Sequence, residues 1–221
     1  MSLTRLTSRP YVRRSRDGQR GQGMVEFAVI VPVFLLLLMG MLEFGFVFTH
    51  NMTLEYATRE GARAGATLSN GGTGATSAEC NAIDPAIINA VTKVLKSPGS
   101  PILGYPNAVA TIKIWQSDLS GNPMAGTTNT WTNKGDGSLT FTQGTTNWAA
   151  CSRHAVTWLC SSGCPSYCSG NVCPPDSIGV SLTYTYTMVT PLGTIEKFFG
   201  PAGPATLQMT DKTVMSLNPT N

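Results

Sequence analysis

The side chains here that could do chemistry are six cysteines, two histidines and one carboxylate at the head of an apolar run. Cys151, Cys160, Cys164, Cys168 and Cys173 crowd into one stretch, and Cys80 stands apart. The C-x3-C-x3-C-x4-C spacing, with His154 nearby, could hold a metal. Structural zinc sites, however, use two C-x2–4-C pairs split by a longer loop, each gripping one edge of a tetrahedron. Here the run is unbroken, Pro165, Pro174 and Pro175 stiffen it, and the cysteine count is even. Disulfides are the favoured reading over a metal. Spacing does not choose among the pairings that six cysteines allow. A bridge from Cys80 would tie the end of the N-terminal helix region to the later loop.

Catalytic motifs are absent from the sequence. There is no G-x-S-x-G elbow, no H-E-x-x-H, no phosphate-binding loop and no dinucleotide fingerprint. His50 falls at the end of the apolar run, where a polar residue is expected. His154 reads as a surface or packing residue. Asp136-Gly137-Ser138-Leu139-Thr140 loosely resembles a metal loop, but it reads as a hairpin turn between Trp131 and Phe141. The chain is expected to be no enzyme and to carry no cofactor. A net charge of +3 is too small to announce a nucleic-acid partner, and 12% charged residues are too few for a disordered polyelectrolyte.

The remaining candidate, Glu26, depends on the helix that carries it. From Phe27 to Phe48 a single charge, Glu43, interrupts an apolar run. At about 1.5 Å per residue, a helix of that length crosses the roughly 30 Å hydrocarbon core of a bilayer. A cleaved secretory signal would show a shorter apolar region and a small-x-small site. Met39-Gly40-Met41-Leu42-Glu43 offers no such site. Arg5, Arg9, Arg13, Arg14, Arg16 and Arg20 crowd the N-terminal flank against a lone Asp17. That bias is expected to hold the N-terminus in the cytoplasm and send the rest outside, where disulfides persist.

Helical character is expected to run on past the membrane, from about Met24 to Thr67. Glu55/Arg59 and Glu60/Arg63 sit at favourable i,i+4 and i,i+3 spacings. Ala57, Gly61 and Gly65 form a small-residue stripe that another backbone could approach closely. Asn70-Gly71-Gly72 is expected to end the helix.

Beyond it the sequence reads as a small α+β module. Asp84 as N-cap and Pro85 at the first helical position open a short helix whose Ile87, Val91, Val94 and Leu95 share a face, and Ser97-Pro98-Gly99 stops it. Ala110, Ile112 and Ile114 alternate as a strand. Ile178 to Met188 alternate more clearly, with Tyr184 and Tyr186 on the apolar parity. Leu207, Met209, Met215 and Leu217 mark a final strand with Asp211 at a bulge. The organisation is a basic leader over 1–21, a membrane helix and its extension over 22–69, and an exported domain over 70–221 with a cysteine-rich loop at 151–173. The expected fold class is α+β: a long transmembrane helix, a small antiparallel sheet, one short helix and a disulfide-rich loop.

A carboxylate in the lipid-facing start of a helix is costly unless something pairs with it. A cut after Gly21 would give Gln22 a new α-amine and place Glu26 at position five, where it could pair with the amine of a neighbouring helix. Glu26 could equally mark the interface edge and reach back to water.

The segment Arg20-Gly21-Gln22-Gly23-Met24-Val25-Glu26-Phe27-Ala28-Val29-Ile30-Val31-Pro32 resembles the head of TadE/TadG-like proteins, minor pilins of the Tad (Flp, type IVc) pilus system. Glu43-Phe44-Gly45 and Ala57-Thr58-Arg59-Glu60-Gly61-Ala62-Arg63 are similar to that family's helix, and Tyr184 to Leu192 to its C-terminal region. The resemblance implies a single-span protein of the bacterial inner membrane. It implies processing by a prepilin peptidase between Gly21 and Gln22, and work with other Tad pilins and inner-membrane assembly proteins. A membrane-tethered binding domain outside any filament is the competing reading.

Overall fold

The computed structural model describes residues 18–68, 77–162, 164–191 and 206–218. The leader's Arg5, Arg9, Arg13, Arg14 and Arg16, the Asn70-Gly71-Gly72 terminator and Leu192 lie outside the described residues.

One helix, α1 (Gly18–Leu68), serves two solvents. Its first half is apolar all round and exposed on nearly every side as far as Leu42. Pro32 sits inside this half, where a lost backbone hydrogen bond is tolerated in membrane helices. From Glu43 onward the pattern becomes one-sided. Glu43, His50, Leu54, Ala57, Thr58, Gly61, Ala62, Gly65 and Ala66 are buried at helical spacing, and the opposite face stays open.

The buried face meets a second helix, α2 (Ser77–Leu95), and a five-stranded antiparallel sheet. The strands are β1 (Val109–Ser117), β2 (Pro123–Asn133), β3 (Phe141–Thr146), β6 (Ser177–Thr187) and β7 (Thr206–Ser216), in the order β3-β2-β1-β6-β7. A two-residue ribbon of β4 (Trp158–Leu159) and β5 (Val172–Cys173) lies in the cysteine-rich segment. The fold is α+β, with helices on one face of the sheet and a core of Leu54, Ile87, Val91, Leu95, Ile112, Ile114, Ile178, Val180 and Leu182 between them.

Two local expectations change and one holds. Asp84 is not an N-cap: α2 begins at Ser77 and holds Asp84 and Pro85 in its interior. Buried Ile83 and the bridge from Cys80 hold the upstream turns in place, although Pro85 lacks the N–H an interior residue would donate. Asp211 is not at a bulge, since β6 and β7 pair without a break from Ser177↔Ser216 to Thr187↔Thr206. Asp211 faces α1 and accepts a hydrogen bond from the Thr58 hydroxyl, which satisfies a carboxylate in an otherwise apolar row. The Gly135-Asp136-Gly137 turn does close the β2–β3 hairpin, with Lys134 N–H donating to the Thr140 carbonyl at 2.9 Å.

The small-residue stripe on α1 is occupied from within the chain. A Cβ at Gly61 would lie 2.5 Å from a Val91 methyl, and one at Gly65 would lie 2.7 Å from Ile178 Cδ1. Glycine there lets α2 and β6 reach the helix backbone. By contrast, Gly45 has nothing within 4 Å. Gly61→Leu should therefore destabilise the head by about 1–3 kcal/mol through overpacking. Gly45→Leu should leave it unchanged. Thermal unfolding of the full chain in detergent would compare the two, and equal midpoints would contradict this packing.

Candidate functional site

The residues singled out by chemistry fall into three places along the molecule. The first is the exposed start of α1. Gly21 has open space around it, and Gln22 Nε2 donates to Glu26 Oε1 at 3.1 Å within the helix. The backbone is already helical on both sides of Gly21–Gln22, and Glu26 is exposed.

The second is the seam where the head meets the helix. Glu43, the one charge in the apolar run, is 95% shielded by the end of β6 rather than turned to lipid: its exposure is 5%. Its Oε1 accepts from the Tyr186 hydroxyl at 2.5 Å and from the Val189 N–H at 3.1 Å, and Oε2 accepts from the Thr190 N–H at 2.9 Å. Two turns further along, His50 is buried. Its Nδ1–H donates to the Phe46 carbonyl at 2.8 Å, and its ring lies 5.0 Å from Tyr186, 5.6 Å from Tyr184 and 6.4 Å from Tyr105. His50 is thus a packing residue of the seam. Thr58, about two turns higher, bonds Asp211 and the Thr213 hydroxyl. Sequence reasoning treated Glu43 as an exception in the span and as part of the Glu43-Phe44-Gly45 resemblance, and gave it no partner. The signal available was a carboxylate in phase with His50, Leu54 and Ala57, the positions that turn inward.

Burial raises the Tyr184 hydroxyl to about 12, with Tyr105 adding to the shift. Burial and then the Glu43 carboxylate push Tyr186 up as well. Both phenols stay protonated at neutral pH, so Tyr186 remains a donor.

The third place is the distal end. All six cysteines are paired: Cys80–Cys151 with Cα atoms 5.2 Å apart, Cys160–Cys164 at 5.6 Å and Cys168–Cys173 at 4.3 Å. None remains a thiolate for a metal among the described residues. The long-range bridge joins α2 to the turn at Ala150–Ser152, and the two short ones brace the segment around β4 and β5. His154 stacks on Trp158 at 4.1 Å, and its Nδ1 lies 3.1 Å from Asp176. Asp176 also accepts from Gln116 at 2.9 Å and from the His154 N–H at 2.9 Å, so the carboxylate is a hub that closes the loop onto β1. Asp136 takes the Ser138 N–H at 2.9 Å and hydroxyls of Ser138 and Thr140, which hold its carboxyl below the usual range. It is a self-satisfied turn.

Sequence reasoning missed Arg153. Its side chain is fully buried, 2.6 Å from Asp84 and stacked 4.3 Å over the Trp148 ring. Asn129 joins the same cluster, donating to Asp84 at 2.7 Å and accepting the Trp148 N–H at 2.8 Å. Nothing in the local pattern marks Arg153, because the carboxylate that pairs with it is contributed by α2.

Residues 21–63 match the family described as TadE-like protein. The matched segment holds Gly21, Gln22, Glu26, Glu43, His50 and Thr58, and it ends inside α1. It covers the membrane half of the helix and most of the seam, but none of the sheet. Helix α1 is long and apolar enough to cross a membrane once. No curated protein and no solved structure matches the chain.

Removing the Glu43 acceptor orphans a buried phenol and two N–H groups, each worth about 1–3 kcal/mol when left unpaired. Glu43→Ala should lower the unfolding midpoint of the head well below wild type, and Glu43→Gln, which keeps one acceptor oxygen, should fall between. A midpoint unchanged in Glu43→Ala would show that the carboxylate does not hold the seam. Tyrosine in an unfolded chain ionises near 10. The folded values of Tyr184 and Tyr186 are raised, so their contribution is complete below that pH and is lost as pH rises from about 10 toward 12. Alkaline unfolding monitored by circular dichroism should therefore show the head weakening above about pH 10.

Proposed function

We propose that this protein is a minor pilin- or pseudopilin-like structural component of a Tad (Flp) pilus assembly and secretion apparatus. The observation that carries the reading is the TadE-like match over residues 21–63, on a helix whose outer half is built into the core of an α+β head. In this reading the helix anchors the chain once in the bacterial inner membrane, with the leader in the cytoplasm and the head outside. Three disulfides suit an oxidising compartment. The role is structural rather than catalytic.

Gly21–Gln22 is the bond a prepilin peptidase would cut. The space around Gly21 supports access, and the helix on either side sets Glu26 one turn from the new amine. In the uncut chain Glu26 is bonded by a neutral amide, which compensates a carboxylate only weakly. After cleavage the α-amine of a neighbouring subunit would supply the missing cation, and that pairing is the assembly contact. The alternative is a tethered binding domain that joins no filament. A cavity of about 640 Å³ lined by Asn81, Asn129, Trp131, Gln143 and Asn147 is the feature such a domain would use.

Glu26→Gln keeps the shape and removes the charge. The variant should insert and be processed as wild type, yet fail to enter pili or to co-purify with the other Tad pilins. Gly21→Leu should leave the full-length chain with its leader, and the open space at Gly21 means that this loss would not come from misfolding. Normal incorporation of Glu26→Gln would remove the assembly role from Glu26. A wild-type protein always found with its N-terminus near Met1 would remove the cleavage step.

A further inference from the structure

The seam places the head much closer to the bilayer than a stalk would. The stretch exposed on nearly every side is Met24 to Leu42, roughly 28 Å of helix, which alone matches the roughly 30 Å hydrocarbon core. The hydrocarbon boundary therefore falls at Glu43, and Glu43 is where the end of β6 is bonded. The head at that level is apolar and open. Val189, whose N–H is on Glu43, is 54% exposed, and Met188 beside it is 38% exposed. Leu207, paired with Tyr186 across β6–β7, is 43% exposed. Tyr105, against His50 and so about two turns higher, is 47% exposed. None of these four carries a charge. Tyrosine is the residue favoured at headgroup level, with its ring in the apolar side and its hydroxyl in the wet side.

We propose that Met188, Val189, Leu207 and Tyr105 form a base by which the head is seated in the headgroup layer of the same bilayer that α1 crosses. The inference rests on the membrane reading of α1 given above. Continuity with the span is what selects lipid as the occupant: a group bonded to the residue at the hydrocarbon edge cannot stand clear of a headgroup layer that adds several ångströms beyond it. Among the described residues these four are uncharged, so the test uses a bilayer of neutral lipid. The seating also explains why a carboxyl group at Glu43 is tolerated. It is roofed by protein on one side, and the base keeps the rest of its surroundings interfacial rather than hydrocarbon.

The test uses the full-length protein in two sets of phosphatidylcholine vesicles brominated on the acyl chains, bromine being a short-range quencher of tryptophan: near the headgroup end for the reporters on the head, and near the chain ends for the reporter on the span. Val189→Trp adds a reporter at an exposed position, and Leu119→Trp adds one at an equally apolar exposed position beyond the far end of β1. Phe34→Trp reports on the span itself. Emission is read as the difference from wild type, which cancels Trp115, Trp131, Trp148 and Trp158. The added emission of Val189→Trp should be quenched several-fold more than that of Leu119→Trp, and approach that of Phe34→Trp. Quenching of Phe34→Trp without quenching of Val189→Trp overturns the seating and leaves the span intact. A blue-shifted but unquenched Val189→Trp also overturns it, by showing that a second copy covers the base. No quenching of Phe34→Trp would overturn the membrane reading on which the proposal stands.

Discussion

A carboxyl group at the edge of a bilayer has few tolerable surroundings, and Glu43 is such a group. In hydrocarbon it would be expensive by several kcal/mol. Here it is given three donors by one end of one strand. That arrangement dictates much of the rest. It sets the height of β6 along α1, and with it the height of the sheet, because β1 and β7 pair with β6 on either side. It directs Tyr184 and Tyr186 onto His50, the next inward position of the helix. It also brings Asp211 under Thr58, since the unbroken β6–β7 register leaves no freedom once Tyr186 is placed. The helix is then one object in two media: apolar on all sides where lipid surrounds it, and apolar on one side where the head does.

How much of this was legible depends on the range of the interaction. Contacts along one element could be read directly. The Glu55–Arg59 and Glu60–Arg63 pairs form at 2.5 and 2.8 Å, the inner parity of β6 is the one expected, and the β2–β3 turn closes where the glycines fall. Contacts between elements distant in sequence could not. Asp84-Pro85 carries a strong helix-start signal, and the helix nevertheless begins earlier because Cys80 and Ile83 are held by other parts of the chain. Asp211 interrupts an apolar alternation, and its reason, Thr58, lies on a different element. Arg153 drew no reading, since its carboxylate partner Asp84 lies on α2, far away in sequence. The disulfide pairing was open because closely and evenly spaced cysteines offer several short bridges, whereas the tie from Cys80 to the later loop followed from its remoteness alone.

The distal end is built on a different economy from the core. The segment between β3 and β6 has little regular structure, with β4 and β5 only two residues each. Such a segment buries too little apolar surface to order itself and depends on cross-links and buried polar hubs. Two short-range disulfides stiffen it locally, Cys80–Cys151 anchors its start to α2, and Asp176 anchors its end to β1 through Gln116. The Arg153–Asp84 pair adds specificity more than stability, because burying an ion pair costs desolvation that the pairing only partly returns. Asn129 adds a second donor to the Asp84 carboxylate, and the Trp148 ring covers the face of the guanidinium.

A seam of this kind has a mechanical consequence for any assembly of these helices. A head joined to its anchor by a loop could turn freely, and packing the helices would say nothing about the orientation of the heads. Here the helix enters the head's core without a break, and Glu43, His50, Leu54 and Thr58 are fixed in rotation and height against the sheet. Rotation of α1 about its axis by one residue, roughly 100°, would take Glu43 away from Tyr186 and Thr58 away from Asp211 together. Contacts made by the exposed half of α1, including any made by Glu26, are therefore transmitted rigidly to the head. The same packing that registers one helix against another also registers the heads, and it turns the disulfide-braced end of each one away from the membrane.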